Sequence, residues 1–298
     1  MSNIPLNTYV KITPFVQKWA KCSEPVYYIP NPGNAGDAAI ATATVQFFHR
    51  INVPLVHIRA ENIPSGAVVV IAGGGNLVPY YTDIRKILLA CLARNVKKCL
   101  LLPHTVRGHA DVLARLDTRF TILCRDKPSY EYVKKHAPHV HTALARDMVF
   151  ELDIEELKRS TKTWRHKLSL LRDSHWLKNL LRWRRATARI RPDSHGTLRI
   201  FRHDGESAHP DRAKRKFDLM RFNGIREYSP ATDQITMDVI KCINRAERVI
   251  TDRLHISLVV AMLGKKVCVL ENSYGKVSDV WELEMEIGLK LYPSEFSN

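Results

Sequence analysis

Apolar residues along this 298-residue chain follow two alternating patterns. Short runs rich in β-branched residues read as strands: EPVYYIP from Glu24, VPLVHI from Val53, GAVVVIAGGG from Gly66, KKCLLLPHTV from Lys97 and RFTILCRD from Arg119. Between them lie stretches whose apolar positions recur about every 3.6 residues and read as helices. These are the segment after the NPGNAGDA turn, DIRKILLACLARN from Asp83, and KPSYEYVKKHA from Lys127. The alternation stops near Glu151. It resumes with strands GTLRIFRHD from Gly196, RVITD from Arg248 and KKVCVLENS from Lys265. The helices between and after them are ATDQITMDVIKCINRAE from Ala231, RLHISLVVAML from Arg253 and SDVWELEMEIGLKLY from Ser278. Strands alternating with helices predict an α/β fold with a parallel sheet covered on both faces. Two such units are expected, 1–152 and 194–298, joined by a connector at 153–193 that has no β signal.

Charge sharpens this picture. The net charge is +16, but the stretch from Lys158 to Pro192 holds twelve Lys/Arg and one acid, Asp173, so +11 sits there and +5 elsewhere. A basic protein meets nucleic acid, an anionic membrane or a phosphorylated substrate. Confinement of the excess to one connector, without an RRM, KH or zinc-finger pattern, argues against nucleic acid. No run of about 18 apolar residues predicts a transmembrane helix. Met1–Val10 lacks the pattern of a secretory signal. The six cysteines are scattered and without a CxxC pair, which reads as reduced, buried thiols in a cytoplasmic protein with no metal site.

Several motifs fall at strand ends, where open α/β sheets place ligands. In NPGNAGDAAI, Gly33, Asn34 and Gly36 form a turn opening a helix. Asp37 sits at its start, so the turn either receives an anion or caps the helix. Gly73, Gly74, Gly75 and Asn76 end the VVVIA strand and either line a ligand cleft or make a structural turn. LPHTVRG places His104, Thr105 and Arg107 on a possible cleft wall, and LARDMVFEL holds Arg146 and Asp147. Arg125 directly follows a strand, where it either clamps a carboxylate or phosphate or pairs with Asp126. In VITDRLHISL, Arg253 and His255 flank Leu254 at a strand-to-helix turn. That position suits an anion pocket with a proton donor, or a histidine packed under the helix.

Taken in order, GNAGDAAI, GGGNL, LPHTVRG, CRDKPSYEYV, ARDMVF and TDRLHISLVVAMLGKKV resemble the polysaccharide pyruvyltransferase family. The resemblance covers about 24–152 and 235–285. It implies two Rossmann-like domains facing across a cleft, as in GT-B glycosyltransferases. It also implies transfer of pyruvate from phosphoenolpyruvate to a sugar of a capsule, exopolysaccharide or other cell-surface glycan, as a ketal. By that resemblance Arg125, Arg253, Leu254 and His255 bind the donor; ketal formation also needs a proton at the methylene carbon, which makes His255 the candidate general acid. Asp37 is the candidate base on the sugar hydroxyl, and no cofactor or metal is needed beyond phosphoenolpyruvate as donor substrate. A sugar-nucleotide glycosyltransferase of the same architecture is the first rival. A nucleic-acid-binding protein and an inactive family member are the others.

The connector matches no motif of the family. Trp164, Leu168 and Leu171 share one helical face, and Trp176, Leu177, Leu180, Leu181 and Trp183 share another, so two short helices are expected. They either lie on an anionic membrane through 158–192, near a lipid-linked glycan acceptor on the inner face of the plasma membrane, or pack on the domains with a solvated cationic face.

Overall fold

The computed structural model describes residues 8–21, 24–172, 180–181, 183–185, 187–208, 228–286 and 295–297. The chain divides into two units, Met1–Pro32 with Ala43–Glu151, and Gly33–Thr42 with Leu152–Asn298.

The first unit carries an all-parallel sheet. Its strands are β1 (Val26–Ile29), β2 (Leu55–His57), β3 (Val68–Ile71), β4 (Gly74–Leu77), β5 (Lys98–Val106), β6 (Phe120–Cys124) and β7 (His141–Leu144). The order is β2-β1-β3-β5-β6-β7, with β4 beside β5. Its helices include α1 (Ile12–Trp19), α2 (Ala35–Arg50), α3 (Asp83–Ala93), α4 (Ala110–Leu113) and α5 (Lys127–His136). The first turns of α2 group with the second unit. The β3, β5 and β6 side chains are buried, which explains their near-continuous apolar runs. Strand β5 contains Pro103, which has no N–H to donate, and its register shifts between Leu101 and His104. There β5 passes from β3 to β4, with Ile71 opposite Leu101 and Gly74 opposite His104. Gly73 makes this close approach possible, because a Cβ there would lie 2.8 Å from the Pro103 carbonyl oxygen.

The second unit's sheet is also parallel, in the order β11-β10-β9-β8. Its strands are β8 (Thr197–Ile200), β9 (Arg248–Thr251), β10 (Lys266–Leu270) and β11 (Glu295–Ser297). Helices α6 (Ile154–Lys162) and α7 (Trp164–Arg172) precede it. Helices α8 (Pro230–Asn244), α9 (Leu254–Met262) and α10 (Lys276–Glu286) connect or follow its strands. α9 is mostly apolar around its circumference and is buried apart from half-buried His255 and Met262. The Trp281 indole N–H of α10 donates to the Ser257 hydroxyl of α9 at 2.9 Å, satisfying two buried polar groups.

The predicted strands and helices reappear, with additions. The α1, β4, β7 and β11 segments were not foreseen. The closing helix is described to Glu286, and its expected continuation through 287–292 lies outside the described residues, as do Trp176 and Leu177. Cys91, Cys99, Cys124, Cys242 and Cys268 are buried free thiols, and Cys22 lies outside the described residues. Among the described residues no helix is long and apolar enough to cross a membrane.

Candidate functional site

Each unit gathers polar side chains just past the carboxyl ends of its strands. In the first unit the chain runs from β1 outward to β2 and then returns to β3 on the other side of β1. Ligands of open α/β sheets bind at such a reversal. Asn31, just past β1, and Gly74, which opens β4, meet there. A Cβ on Gly74, whose φ is +153°, would lie 2.3 Å from Asn31 Nδ2. The Asn76 side-chain amide donates to Asn31 Oδ1 at 2.7 Å, and His104 Nε2 lies 3.1 Å from Asn76 Oδ1. Asn31, Gly74, Asn76 and His104 therefore form one cluster, with Gly73 packed beside it against Pro103 and Met148. Gly75 and Asn76 are half-buried and His104 is fully buried.

Thr105, Arg107 and Arg125 form a neighbouring network. The Arg125 guanidinium is buried, donating to Asp147 at 2.6 Å and to the Thr105 hydroxyl at 2.9 Å. The sequence suggested Asp126 as its structural partner. Asp126 instead pairs with Arg107 at 2.8 Å, accepts from the Thr105 hydroxyl at 3.0 Å, and caps α5 by accepting from Ser129 N at 2.8 Å. An aspartate three residues before serine, with a proline between, is an N-cap arrangement. That geometry takes Asp126 away from Arg125. Arg146 stacks on Phe150, its guanidinium carbon 4.1 Å from the ring centroid.

The turn before α2 is capped from within. Asn34 Oδ1 accepts from Gly36 N at 2.7 Å, and Asp37 Oδ2 accepts from Asn34 N at 2.9 Å. This is a reciprocal cap of the capping-box kind. The Asp37 carboxylate lies so close over Gly33 that a Cβ there would fall 2.0 Å from Oδ2.

The second unit holds the larger charged cluster. Strand pairing places Ile200, Thr251 and Val269 side by side, so the residues following β8, β9 and β10 share one edge. Arg253 is the residue just before α9, its N–H bonded to the Thr251 hydroxyl at 3.0 Å. That hydroxyl donates in turn to the Ile200 carbonyl at 2.7 Å, tying β9 to β8. Leu254 is buried and His255 half-buried in the first turn of α9. The Arg253 guanidinium lies 3.4 Å from Asp204. Arg202 pairs with Asp204 at 2.8 Å and with Glu206 at 2.7 Å. Lys276, at the start of α10, reaches Glu206 at 2.6 Å. Burial pushes the Asp204 carboxyl upward, but Arg202 and Arg253 outweigh it and hold it below the usual range. Glu206 follows the same pattern through Lys276 and Arg202. Burial raises Asp252, against the Arg202 backbone N–H and the charges of Arg253 and Arg202. Three buried cations, Arg202, Arg253 and Lys276, thus face Asp204 and Glu206, whose pKa values they hold down, and Asp252, whose pKa burial raises. The three cations gather beside the N-terminus of a nine-residue helix, a position that favours an anion. Arg202, Asp204, Glu206 and Lys276 were not singled out from sequence. The signal was available: each lies within six residues of the end of a predicted strand.

This is a parallel α/β protein that keeps positive charge at strand ends, as proteins handling small anionic substrates do. The chain belongs to the polysaccharide pyruvyl transferase family, whose model matches residues 34–274. EpsO of Bacillus subtilis (strain 168), whose name marks it as a candidate pyruvyl transferase, is 26% identical over 89% of this chain and 87% of its own. A crystal structure of a functionally uncharacterised protein from Klebsiella pneumoniae subsp. pneumoniae NTUH-K2044 shares the fold. Its TM-score is 0.69 at 22% identity, covering 100% of both chains. Family membership assigns the chain to the transferases and to polysaccharide synthesis.

Proposed function

We propose that the protein transfers pyruvate from phosphoenolpyruvate to a sugar of a bacterial surface polysaccharide, forming a ketal on a lipid-linked acceptor at the cytoplasmic side of the membrane. The observation that carries this reading is the convergence of Arg202, Arg253 and Lys276 beside half-buried His255 at the head of α9. Phosphoenolpyruvate bears a carboxylate and a phosphate, and fixed guanidinium groups suit both. In the reaction a proton adds to the methylene carbon and makes it a methyl group, while a sugar hydroxyl attacks the adjacent carbon. A second hydroxyl then displaces phosphate, whose departing charge the cations stabilise. One hydroxyl proton replaces the proton given to carbon, and the other leaves on the phosphate.

In this proposal His255 delivers the proton to carbon, and Arg253 with the Leu254 backbone holds the donor. Arg125 is the donor residue of the first unit, although its guanidinium is bonded to Asp147 and Thr105. Asp37 is the candidate base, with one oxygen accepting from the Asn34 N–H at 2.9 Å. No cofactor beyond the donor takes part. The test is phosphate release from phosphoenolpyruvate with lipid-linked oligosaccharides, with added pyruvate read by mass spectrometry. His255→Ala is expected to lose about 10²- to 10⁴-fold in rate. Near-normal turnover in that variant removes His255 from the chemistry. Consumption of a sugar nucleotide without phosphoenolpyruvate replaces the whole reading.

A further inference from the structure

Helix α7 packs one face inward and leaves the other bare. His166 is buried, and Ser169 and Leu170 are half-buried, on the side that meets α6 and α8. On the opposite side Trp164, Leu168 and Leu171 are 68%, 40% and 62% exposed. Their spacing of four and three residues sets them on one stripe. Single exposed apolar side chains are ordinary, but an aligned stripe is not. Among the described residues the other large apolar side chains so exposed are Val56, Tyr80 and Leu181. At 100° per residue Lys167 stands about 60° to one side of Trp164, and Arg165 about 100° to the other. The Arg165 guanidinium carbon lies 5.6 Å from the Trp164 ring centroid. Arg159, Lys162, Arg184, Arg185, Arg189 and Arg191 are exposed in the same segment.

We infer that the outer face of α7 docks on an anionic lipid surface, with Trp164, Leu168 and Leu171 entering the headgroup boundary and the flanking cations meeting lipid phosphates. An apolar centre with cations on both flanks is the arrangement of an interfacial helix. A nucleic-acid site would put the cations at the centre of the contact. A second copy of the chain would bring one +11 segment against another. The inference stands apart from the transferase reading, because lipid binding needs neither donor nor catalysis.

Co-sedimentation of the full-length protein with vesicles tests it. Phosphatidylcholine vesicles containing phosphatidylglycerol are expected to carry the protein down, and pure phosphatidylcholine vesicles to leave it in solution. The triple variant Trp164→Glu, Leu168→Glu, Leu171→Glu alters only exposed positions, so its thermal midpoint is expected to stay unchanged while vesicle binding falls at least about tenfold. Arg165→Gln with Lys167→Gln is expected to weaken binding by a smaller factor without altering the apolar stripe. Wild-type protein that ignores both vesicles overturns the proposal. So does a triple variant that still sediments normally. Lipid-free self-association abolished by the triple variant would assign the stripe to a protein interface instead. RNA binding abolished by it would assign the stripe to a nucleic-acid surface.

Discussion

Both units place charged side chains past the carboxyl ends of parallel strands, and they treat those charges in opposite ways. In the first unit the charges at the strand ends form ion pairs: buried Arg125 with buried Asp147, and half-buried Arg107 with buried Asp126. Thr105 is bonded to both Arg125 and Asp126, and the backbone N–H groups of Ser129 and Val149 donate to Asp126 and Asp147. In the second unit three cations share Asp204 and Glu206, and burial presses Asp252 toward its neutral form. A closed ion pair contributes mainly structure, because little field remains for a ligand. Cations that share carboxylates at a helix N-terminus can still turn toward an incoming anion. The comparison therefore predicts that charge removal costs stability in the first unit and donor turnover in the second.

The largest expected effect breaks the closed pair. Asp147→Ala leaves the Arg125 guanidinium buried beside Thr105 without its carboxylate. Loss of one member of a buried pair costs about 3–5 kcal/mol, read as a shift of the urea midpoint. The double change Arg125→Met, Asp147→Leu removes both charges and is expected to recover most of that loss. The same double variant reports on Arg125 as a donor residue. An unchanged KM for phosphoenolpyruvate makes Arg125 structural, and a raised KM makes it a contact.

Next in size is Arg253→Ala. Loss of one fixed cation from a site that stabilises a departing phosphate is expected to lower kcat/KM for phosphoenolpyruvate by about 10²- to 10³-fold. Stability is expected to move by about 1 kcal/mol or less, because Asp204 is partly exposed and keeps Arg202. A stability loss as large as that of Asp147→Ala, with turnover intact, would erase the difference between the two units.

The first half of this contrast was harder to read from sequence than the second. Arg253 and His255 lie within a strand-to-helix junction whose periodicity switches in a few residues, so their place at the sheet edge was legible. The partner of Arg125 was not. Asp126 is adjacent in sequence and Asp147 is 22 residues away. Only the parallel pairing of β6 with β7, a short polar strand with a weak pattern, brings Asp147 near. The capping role of Asp126 was already written in DKPS, and it would have removed the adjacent pairing. Arg202 and Lys276 escaped notice for another reason. Neither stands in a distinctive motif, and their importance comes from β8, β9 and β10 ending together. The α1 and β4 segments were missed because a lone amphipathic turn and a glycine-rich tail carry little periodic signal.

The smallest expected effect concerns a half-buried carboxyl that neither unit's main cluster contains. Asp233, in the first turn of α8, is held by hydroxyls: Tyr228 donates at 2.9 Å and Thr42 at 2.9 Å. Burial pushes it up from the ordinary 3.8 to about 6, helped by the Glu156 charge, while the two hydroxyls pull the other way. A carboxyl with a raised folded-state pKa favours the fold while protonated. That contribution is complete below about pH 4 and is lost as pH rises through about 6. At neutral pH the second unit therefore carries a half-buried anion held by the Tyr228 and Thr42 hydroxyls. Asp233→Asn keeps an oxygen for both hydroxyls and removes the charge. The variant is expected to be about 1–3 kcal/mol more stable than wild type at pH 7, with the advantage vanishing near pH 4. Asp204 and Glu206, held below their usual values, lose stabilisation as pH falls, but they do so in both proteins and cancel in the difference. Urea titrations at the two pH values measure it. Equal stability of the two proteins at pH 7 would mean that the hydroxyls compensate Asp233 as fully as Arg107 compensates Asp126, and charge balance would then no longer separate the two units.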